Sequence, residues 1–192
     1  MAEETLKKQG SDYSEENIIT LEWYEHIRRR SGMYIGRLGN GERQGDGIYV
    51  LLKEVIDNSI DEFSMGYGKR VDITIDEEKT VTVRDFGRGI PLGKVVDVVS
   101  KLNTGGKFDT ASFQKSVGMN GVGTKAVNAM SSDFLVESYR DGQSSFAHFS
   151  RGILLDSGQR DTTEKNGTLI RFTPDEQMFE GYSFHMDIVE RW

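Results

Sequence analysis

The spacing of apolar residues predicts one long amphipathic helix in the first third of the chain. Over residues 48–63, apolar and polar positions separate onto two sides at helical spacing. Shorter helices are predicted over residues 18–30, which end in a basic run, and over the valine-rich residues 95–102. In the long helix the apolar side consists of Leu52, Val55, Ile56, Ile60 and Phe63, and the polar side of Glu54, Asp57, Asn58 and Asp61.

Alternation of apolar and polar residues predicts five strands. Residues 71–75 alternate, the turn DEEK reverses the chain, and a second strand ends at Asp85. Residues 133–139 and 144–149 flank the tight-turn dipeptide Asp141-Gly142, and Asn166-Gly167 introduces a last strand over residues 168–172. Because helices and strands are segregated along the chain, the pattern predicts an α+β fold.

Two segments lack any periodicity. Residues 1–17 are polar and charged, which predicts a mobile N-terminal arm. Residues 103–125 combine glycines with polar residues, and a loop of that length is typical of a functional lid. The remainder, residues 18–192, has the length of one domain.

Composition excludes several classes of protein. The 192 residues include 29% charged and 36% hydrophobic residues, which is typical of a globular protein. A formal charge of −7 argues against a surface that tracks nucleic-acid phosphates unaided. The absence of cysteine excludes disulfides and thiolate metal sites. With no export signal and no apolar run near the ~20 residues that a membrane helix needs, we expect a cytoplasmic protein.

The acidic side of the long helix carries candidate chemistry. Glu54 and Asn58, four residues apart, project to nearly the same place. A glutamate carboxylate can accept a proton from water, and an amide oxygen is a suitable ligand for Mg²⁺. The alternative is an ordinary solvated face opposite a buried one.

The segment VRDFGRGIP, residues 83–91, places a carboxylate at the end of a strand among glycines. Asp85 could accept a hydrogen bond from an exocyclic amine such as that of adenine, because glycines let a flat ligand approach the backbone. Val55, Val83 and Ile90 would then form the walls. The alternative is an ordinary turn in which the glycines only supply backbone freedom.

The glycine-rich residues 103–125 match two known phosphate-binding spellings poorly. Thr124-Lys125 has the reverse order of the lysine and hydroxyl residue in a Walker A loop. Gly121, Gly123 and Ala126 fit the dinucleotide spelling but lack the apolar strand before it. What remains is a row of backbone N–H groups that can face phosphate oxygens, with Lys107 as a mobile positive charge, or else a disordered linker.

Five ordered motifs carry a resemblance to a known family. They are RSGMYIG, EVIDNSIDE, DFGRGIP, GGKF…GMNGVGTKAVNAMS and GTLIRFTP. Together they resemble the ATPase domain of bacterial type IIA topoisomerase B subunits, of gyrase or topoisomerase IV, over residues 13–174. The resemblance implies a two-layer α/β sandwich with helices on a mixed, largely antiparallel sheet. This is the left-handed nucleotide-binding fold shared with chaperone, histidine kinase and mismatch-repair ATPases.

The resemblance also implies a role for particular residues. Glu54 would be the general base, and Asn58 the Mg²⁺ ligand, with Asp61 and Glu62 supporting them. Asp85 would bind adenine with the help of Thr168. The base pocket would be lined by Val55, Val83, Gly89, Ile90, Val98 and Ile170. The lid would supply Gly105, Gly106, Lys107, Gly118, Gly121, Val122 and Gly123, and Tyr13 of the arm would reach the nucleotide of a second copy of the chain.

At the level of the whole enzyme, the resemblance implies that Mg-ATP dimerises two copies of the chain and that its hydrolysis drives DNA strand passage together with the topoisomerase A subunit. The next domain of the family contributes a lysine to the γ-phosphate, so this chain alone is expected to bind ATP and hydrolyse it weakly. The sequence departs from the family at Ser31, at Val50 and, by register, at Phe146 in place of a pocket-edge arginine. A chaperone or mismatch-repair ATPase, a nicotinamide-dependent oxidoreductase and a non-catalytic interaction module remain alternatives.

Overall fold

A computed structural model describes residues 21–102 and 121–191. The predicted arm with Tyr13 lies outside the described residues. So do residues 103–120 of the predicted lid, which carry Gly105, Gly106, Lys107 and Gly118.

The described residues form one six-stranded sheet in the order β1-β2-β6-β3-β4-β5, and every strand pair in it is antiparallel. The long hairpin of β3 and β4 turns at Asp141 and Gly142, both at positive φ, as that dipeptide predicts. The strands are β1 Val71–Ile75, β2 Val81–Asp85, β3 Ser131–Arg140, β4 Gln143–Ser150, β5 Ile153–Asp161 and β6 Gly167–Pro174.

Helices cover one face of this sheet. Alternate strand residues such as Val83, Phe134 and Phe172 enter one buried cluster with helical residues such as Leu51 and Val127. No helix in residues 21–102 and 121–191 is long and apolar enough to span a membrane. The helices are α1 Trp23–Arg29, α2 Gly32–Ile35, α3 Gly47–Ser64, α4 Val95–Ser100, α5 Gly123–Ala129 and α6 Met186–Val189. The predicted α+β fold with helices on a largely antiparallel sheet is confirmed.

The buried stripe of α3 differs from the predicted one in its second half. Leu52 and Val55 are buried as expected, but Ile60 and Phe63 are 42% and 59% exposed, whereas Asp61 is 2% exposed. The stripe that meets the sheet continues from Val55 to Ser59, four residues on. Periodicity defines an apolar side, but the tertiary packing decides how far along that side the sheet reaches.

Strand β5 was not predicted. Its sequence begins with three consecutive apolar residues and continues with polar ones, so it shows no alternation. The strand lies at the edge of the sheet and is almost entirely exposed, and therefore no buried face selects alternating residues.

Two phenylalanines test this description of the core. Phe134 is fully buried, with its ring centroid 6.1 Å from that of Phe149, whereas Phe63 lies largely exposed on the end of α3. Phe134→Ala should lower the free energy of unfolding by about 3–5 kcal/mol. Phe63→Ala should lower it by less than about 1 kcal/mol. Urea denaturation checks both, and losses of equal size would contradict the burial assigned to α3.

Candidate functional site

A cavity of about 420 Å³ opens between the polar side of α3, the end of β2 and the start of β6. The pairing of β2 with β6 places the end of one strand beside the start of the other, which brings Asp85 and Thr168 together. Ten of the residues predicted to bind the nucleotide line this cavity: Val55, Asn58, Glu62, Val83, Asp85, Gly89, Ile90, Val98, Thr168 and Ile170.

Asp85 is one of two buried carboxylates in the described lining of the cavity, the other being Asp61 on α3. Asp85 is 8% exposed, and its Oδ1 accepts the backbone N–H groups of Gly87 at 2.9 Å and Thr168 at 3.2 Å. Burial raises the pKa of Asp85, while these two hydrogen bonds and the charge of Arg84 oppose the rise. A carboxylate held in this way among apolar walls is suited to accept hydrogen bonds from one face of a flat, amine-bearing ligand.

The turn after Asp85 depends on glycine. Gly89 has φ +76°, and a Cβ at this position would lie 2.7 Å from the carbonyl oxygen of Tyr139. The close approach lets the Ser138 hydroxyl donate to the carbonyl of Ile90 at 2.7 Å. Ile90 is thereby fixed as a wall of the cavity.

Glu62 supports the same turn. Its Oε1 lies 2.8 Å from Nη2 of Arg88, and its Oε2 accepts from the backbone N–H and Nε of Arg88, both at 3.1 Å. Glu62 therefore connects α3 to the turn that follows Asp85, in addition to lining the cavity.

Asn58 connects α3 to α5. Its Nδ2 donates to the carbonyl oxygen of Glu54 at 2.8 Å and to Oγ1 of Thr124 at 3.0 Å. Since both amide hydrogens are used, Oδ1 is the atom of this side chain suited to bind a cation.

Glu54 lies against the start of α5. A Cβ on Gly123 would come within 1.8 Å of Oε2 of Glu54, so the carboxylate occupies the space that this glycine leaves open. Gly121, at φ +59°, and Val122 precede the helix. The structure thus brings Gly121, Val122 and Gly123 beside Glu54, at the edge of the cavity rather than in its lining.

Lys125 secures that glycine turn and was not predicted to do so. Its ammonium donates to the carbonyl oxygen of Gly121, and burial lowers its pKa to about 8. In the sequence, Lys125 stands out only as a lysine in the wrong order for a Walker A loop.

The prediction about the pocket-edge arginine is wrong. Arg140, the last residue of β3, lines the cavity, whereas Phe146 lies on β4 opposite Gly158 and outside the lining. Counting back from the Asp141-Gly142 turn would have placed Arg140 correctly. The lining residues that sequence reasoning did not assign to the pocket are Ser59, Met65, Arg88, Pro91, Val99, Thr124 and Arg140.

The described residues contain no group of three or more histidine or acidic side chains that could hold a metal ion. Mg²⁺ commonly takes one or two protein oxygens and completes its shell with water and phosphate oxygens. A single amide oxygen, that of Asn58, on a cavity of this size therefore fits an ion that arrives with a phosphorylated ligand.

An antiparallel sheet covered by helices, with an apolar cavity between α3 and a buried aspartate, is suited to bind a nucleotide. Residues 44–178 match the family described as histidine kinase-, DNA gyrase B-, and HSP90-like ATPases, and the chain belongs to this family. Family membership leaves no support for the oxidoreductase or for the non-catalytic module.

Within this family, the chain is similar to the B subunits of two bacterial topoisomerases. The chain is 56% identical to the B subunit of DNA topoisomerase 4 of Borreliella burgdorferi, over 94% of this chain and 30% of that protein. It is 35% identical to the B subunit of DNA gyrase of Enterococcus faecalis, over 91% of this chain and 28% of that protein. The chain therefore spans less than a third of these relatives' length.

The fold is also similar to a solved structure, that of the 43K ATPase domain of Thermus thermophilus gyrase B in complex with an aminocoumarin. The two superpose with a TM-score of 0.73 at 30% identity, over 89% of this chain and 44% of that one.

The burial of Asp85 predicts that removing its charge does not destabilise the protein in the absence of nucleotide. Its folded pKa is raised, so its contribution to stability is present at low pH and is lost as the pH rises through that value. Without nucleotide, Asp85→Asn should therefore melt at or above the wild-type temperature at pH 7.5, with the difference shrinking toward pH 4. Thermal unfolding measures this, with the exposed Asp156→Asn as control. A clear destabilisation of Asp85→Asn at neutral pH would contradict the prediction.

Proposed function

We propose that the cavity binds Mg-ATP, and that in a longer protein this ATP dimerises two copies of the chain and its hydrolysis drives DNA strand passage by a type IIA topoisomerase. The observation that carries the proposal is the buried Asp85, held by backbone N–H groups at one end of an apolar cavity whose other end carries Asn58 and borders Glu54. The names of the relatives support the topoisomerase part.

Asp85 would accept a hydrogen bond from the exocyclic amine of adenine. Val55, Val83, Ile90 and Ile170 are apolar and line the same cavity, so they would pack against the faces of the base. Thr168, whose N–H already holds Oδ1 of Asp85, would complete the edge that contacts the base.

Asn58 would hold Mg²⁺ through Oδ1, and the bound ion would neutralise charge on the phosphates. Glu54 would accept a proton from the attacking water, because its carboxylate lies at the start of α5, where the glycine turn presents backbone N–H groups. Hydrolysis of this kind depends chiefly on position and on charge neutralisation.

We expect the chain to assemble with a second copy and with other components as its resemblance to topoisomerase B subunits implies. Tyr13 would reach the nucleotide of a second copy of the chain, and Gly105, Gly106, Lys107 and Gly118 would close over the phosphates with the glycine turn before α5. The topoisomerase A subunit and DNA would be engaged by other regions of the longer protein. Action on bacterial DNA would place that protein in the cytoplasm.

Glu54→Gln should separate binding from turnover. The substitution keeps the size of the side chain but removes its ability to take a proton, which is typically worth about 10²–10⁴-fold in rate. We expect affinity for a non-hydrolysable ATP analogue to stay within about threefold of wild type while ATP turnover by the longer protein falls at least about 100-fold. Calorimetry and phosphate release measure the two. The exposed Glu78→Gln is the control. Unchanged turnover in Glu54→Gln would contradict the assignment of Glu54 as the general base.

Asn58→Ala should abolish the response to Mg²⁺. In the wild type, chelation of the ion should weaken binding of the ATP analogue by about tenfold or more, because the acidic helix then faces an unshielded triphosphate. In Asn58→Ala, affinity with and without Mg²⁺ should be nearly equal. Paired calorimetric titrations measure this, and Gln159→Ala, a surface amide on β5, should behave as wild type. A full Mg²⁺ response in Asn58→Ala would refute its role as ligand.

A further inference from the structure

Arg84 lies behind the base-binding end of the cavity. Val83 and Asp85 line the cavity, so Arg84, between them on β2, projects to the opposite face of the sheet. The side chain is nevertheless buried, with 8% of the residue exposed. Burying a guanidinium is unfavourable unless it is paired and hydrogen-bonded, so the partners of Arg84 indicate its role.

The guanidinium of Arg84 joins two separate segments of backbone. Nη1 donates to the carbonyl oxygen of Asp85, and Nη2 donates to the carbonyl oxygen of Lys165 at 2.5 Å. The guanidinium also lies over two rings, with Cζ 4.6 Å from the ring centroid of Phe86 and 4.4 Å from that of Tyr139. The fork is therefore fixed in position as well as in direction.

Gly167 provides the space for this arrangement. A Cβ at Gly167 would lie 2.3 Å from Nη1 of Arg84 and 2.1 Å from the carbonyl oxygen of Asp85. The next residue, Thr168, donates its N–H to Oδ1 of Asp85 at 3.2 Å. Arg84 thus contacts both segments that together hold the carboxylate, namely the end of β2 and the residues that lead into β6.

The positive charge of Arg84 favours the ionised form of Asp85, and its hydrogen bonds hold the two segments that position this carboxylate. Burial raises the pKa of Asp85, and the neighbouring guanidinium lowers it again, whereas Glu62 raises it further. Among the described residues, the other charged side chains that line the cavity are Asp61 on α3, Arg88 in the turn and Arg140 at the end of β3.

We propose that Arg84 is a positioning residue for nucleotide recognition, which sets Asp85 and Thr168 relative to each other and supplies the positive charge behind the carboxylate. The inference rests on the proposed binding of adenine by Asp85. Under this proposal Arg84, which does not line the cavity, affects how tightly the cavity binds the nucleotide.

Two substitutions separate the position from the charge. Arg84→Gln removes both the fork and the charge, so affinity for a non-hydrolysable ATP analogue should fall about tenfold at pH 7.5. Its loss relative to wild type should grow as the pH is lowered, because Asp85 then protonates at a higher pH. Arg84→Lys keeps the charge but loses the fork, so it should bind more weakly by a similar factor at every pH. Taking each variant relative to wild type cancels the titration of the nucleotide itself.

Arg160→Gln is the matched control. Arg160 also pairs with a buried carboxylate, Glu137, with Nη2 to Oε1 at 2.8 Å, and it also lies over a ring, 5.6 Å from the centroid of Phe146. It stands on β5, outside the lining of the cavity. Arg160→Gln should therefore leave affinity and its pH dependence at wild-type values.

Calorimetric titrations of the four proteins between pH 5.5 and 8 decide the matter. Wild-type affinity and pH dependence in Arg84→Gln, or an equal loss in Arg160→Gln, would overturn the proposal. If circular dichroism shows that Arg84→Gln does not fold, Arg84→Lys decides, since wild-type affinity in that variant would also overturn it. Asp85→Asn, titrated alongside, separates the two levels. Loss of binding there with full binding in Arg84→Gln refutes only the role of Arg84, whereas full binding in Asp85→Asn refutes the proposed function.

Discussion

A carboxylate buried where two strands meet must be surrounded by hydrogen-bond donors and screened by a nearby positive charge, because an unpaired charge in a protein interior is strongly unfavourable. Asp85 imposes this requirement on its neighbours. The turn after β2 supplies one N–H, the start of β6 supplies another, and Arg84 supplies the charge from behind. The antiparallel pairing of β2 with β6 and the absence of a side chain at Gly167 allow these groups to approach so closely.

The opposite end of the cavity has a different electrostatic requirement. The polar side of α3 is acidic, and a triphosphate is acidic too, so the two can meet only if positive charge lies between them. Asn58 uses its amide nitrogen to join α3 to α5, so its oxygen is the atom of the side chain suited to bind a cation, while Glu54 fills the space left by Gly123. The same helix contact thus positions the candidate ligand and the candidate base together.

Much of the fold and the site could be read from the chain, because both depend on local spacing. The helical period placed Glu54 and Asn58 on one side of α3, the hairpin dipeptides placed the strand turns, and the motif around Asp85 placed a carboxylate at a strand end. Phe63 was wrongly assigned to the apolar side that packs in the core, and β5 was not predicted. Phe63 has the right spacing for the core but lies beyond the reach of the sheet, and β5 is an exposed edge strand without a buried face.

The amino-acid sequence by itself determined which residue types stand at which spacing, and with them the long helix, five of the six described strands, the family and most of the described cavity lining. Only the tertiary structure decided which distant segments meet. Arg140 rather than Phe146 lines the cavity, Lys125 holds the turn at Gly121, and Arg84 contacts both segments that hold Asp85. Spacing along the chain records which face a side chain occupies, whereas contacts across about 80 residues, such as that of Arg84 with Lys165, follow from strand order and register.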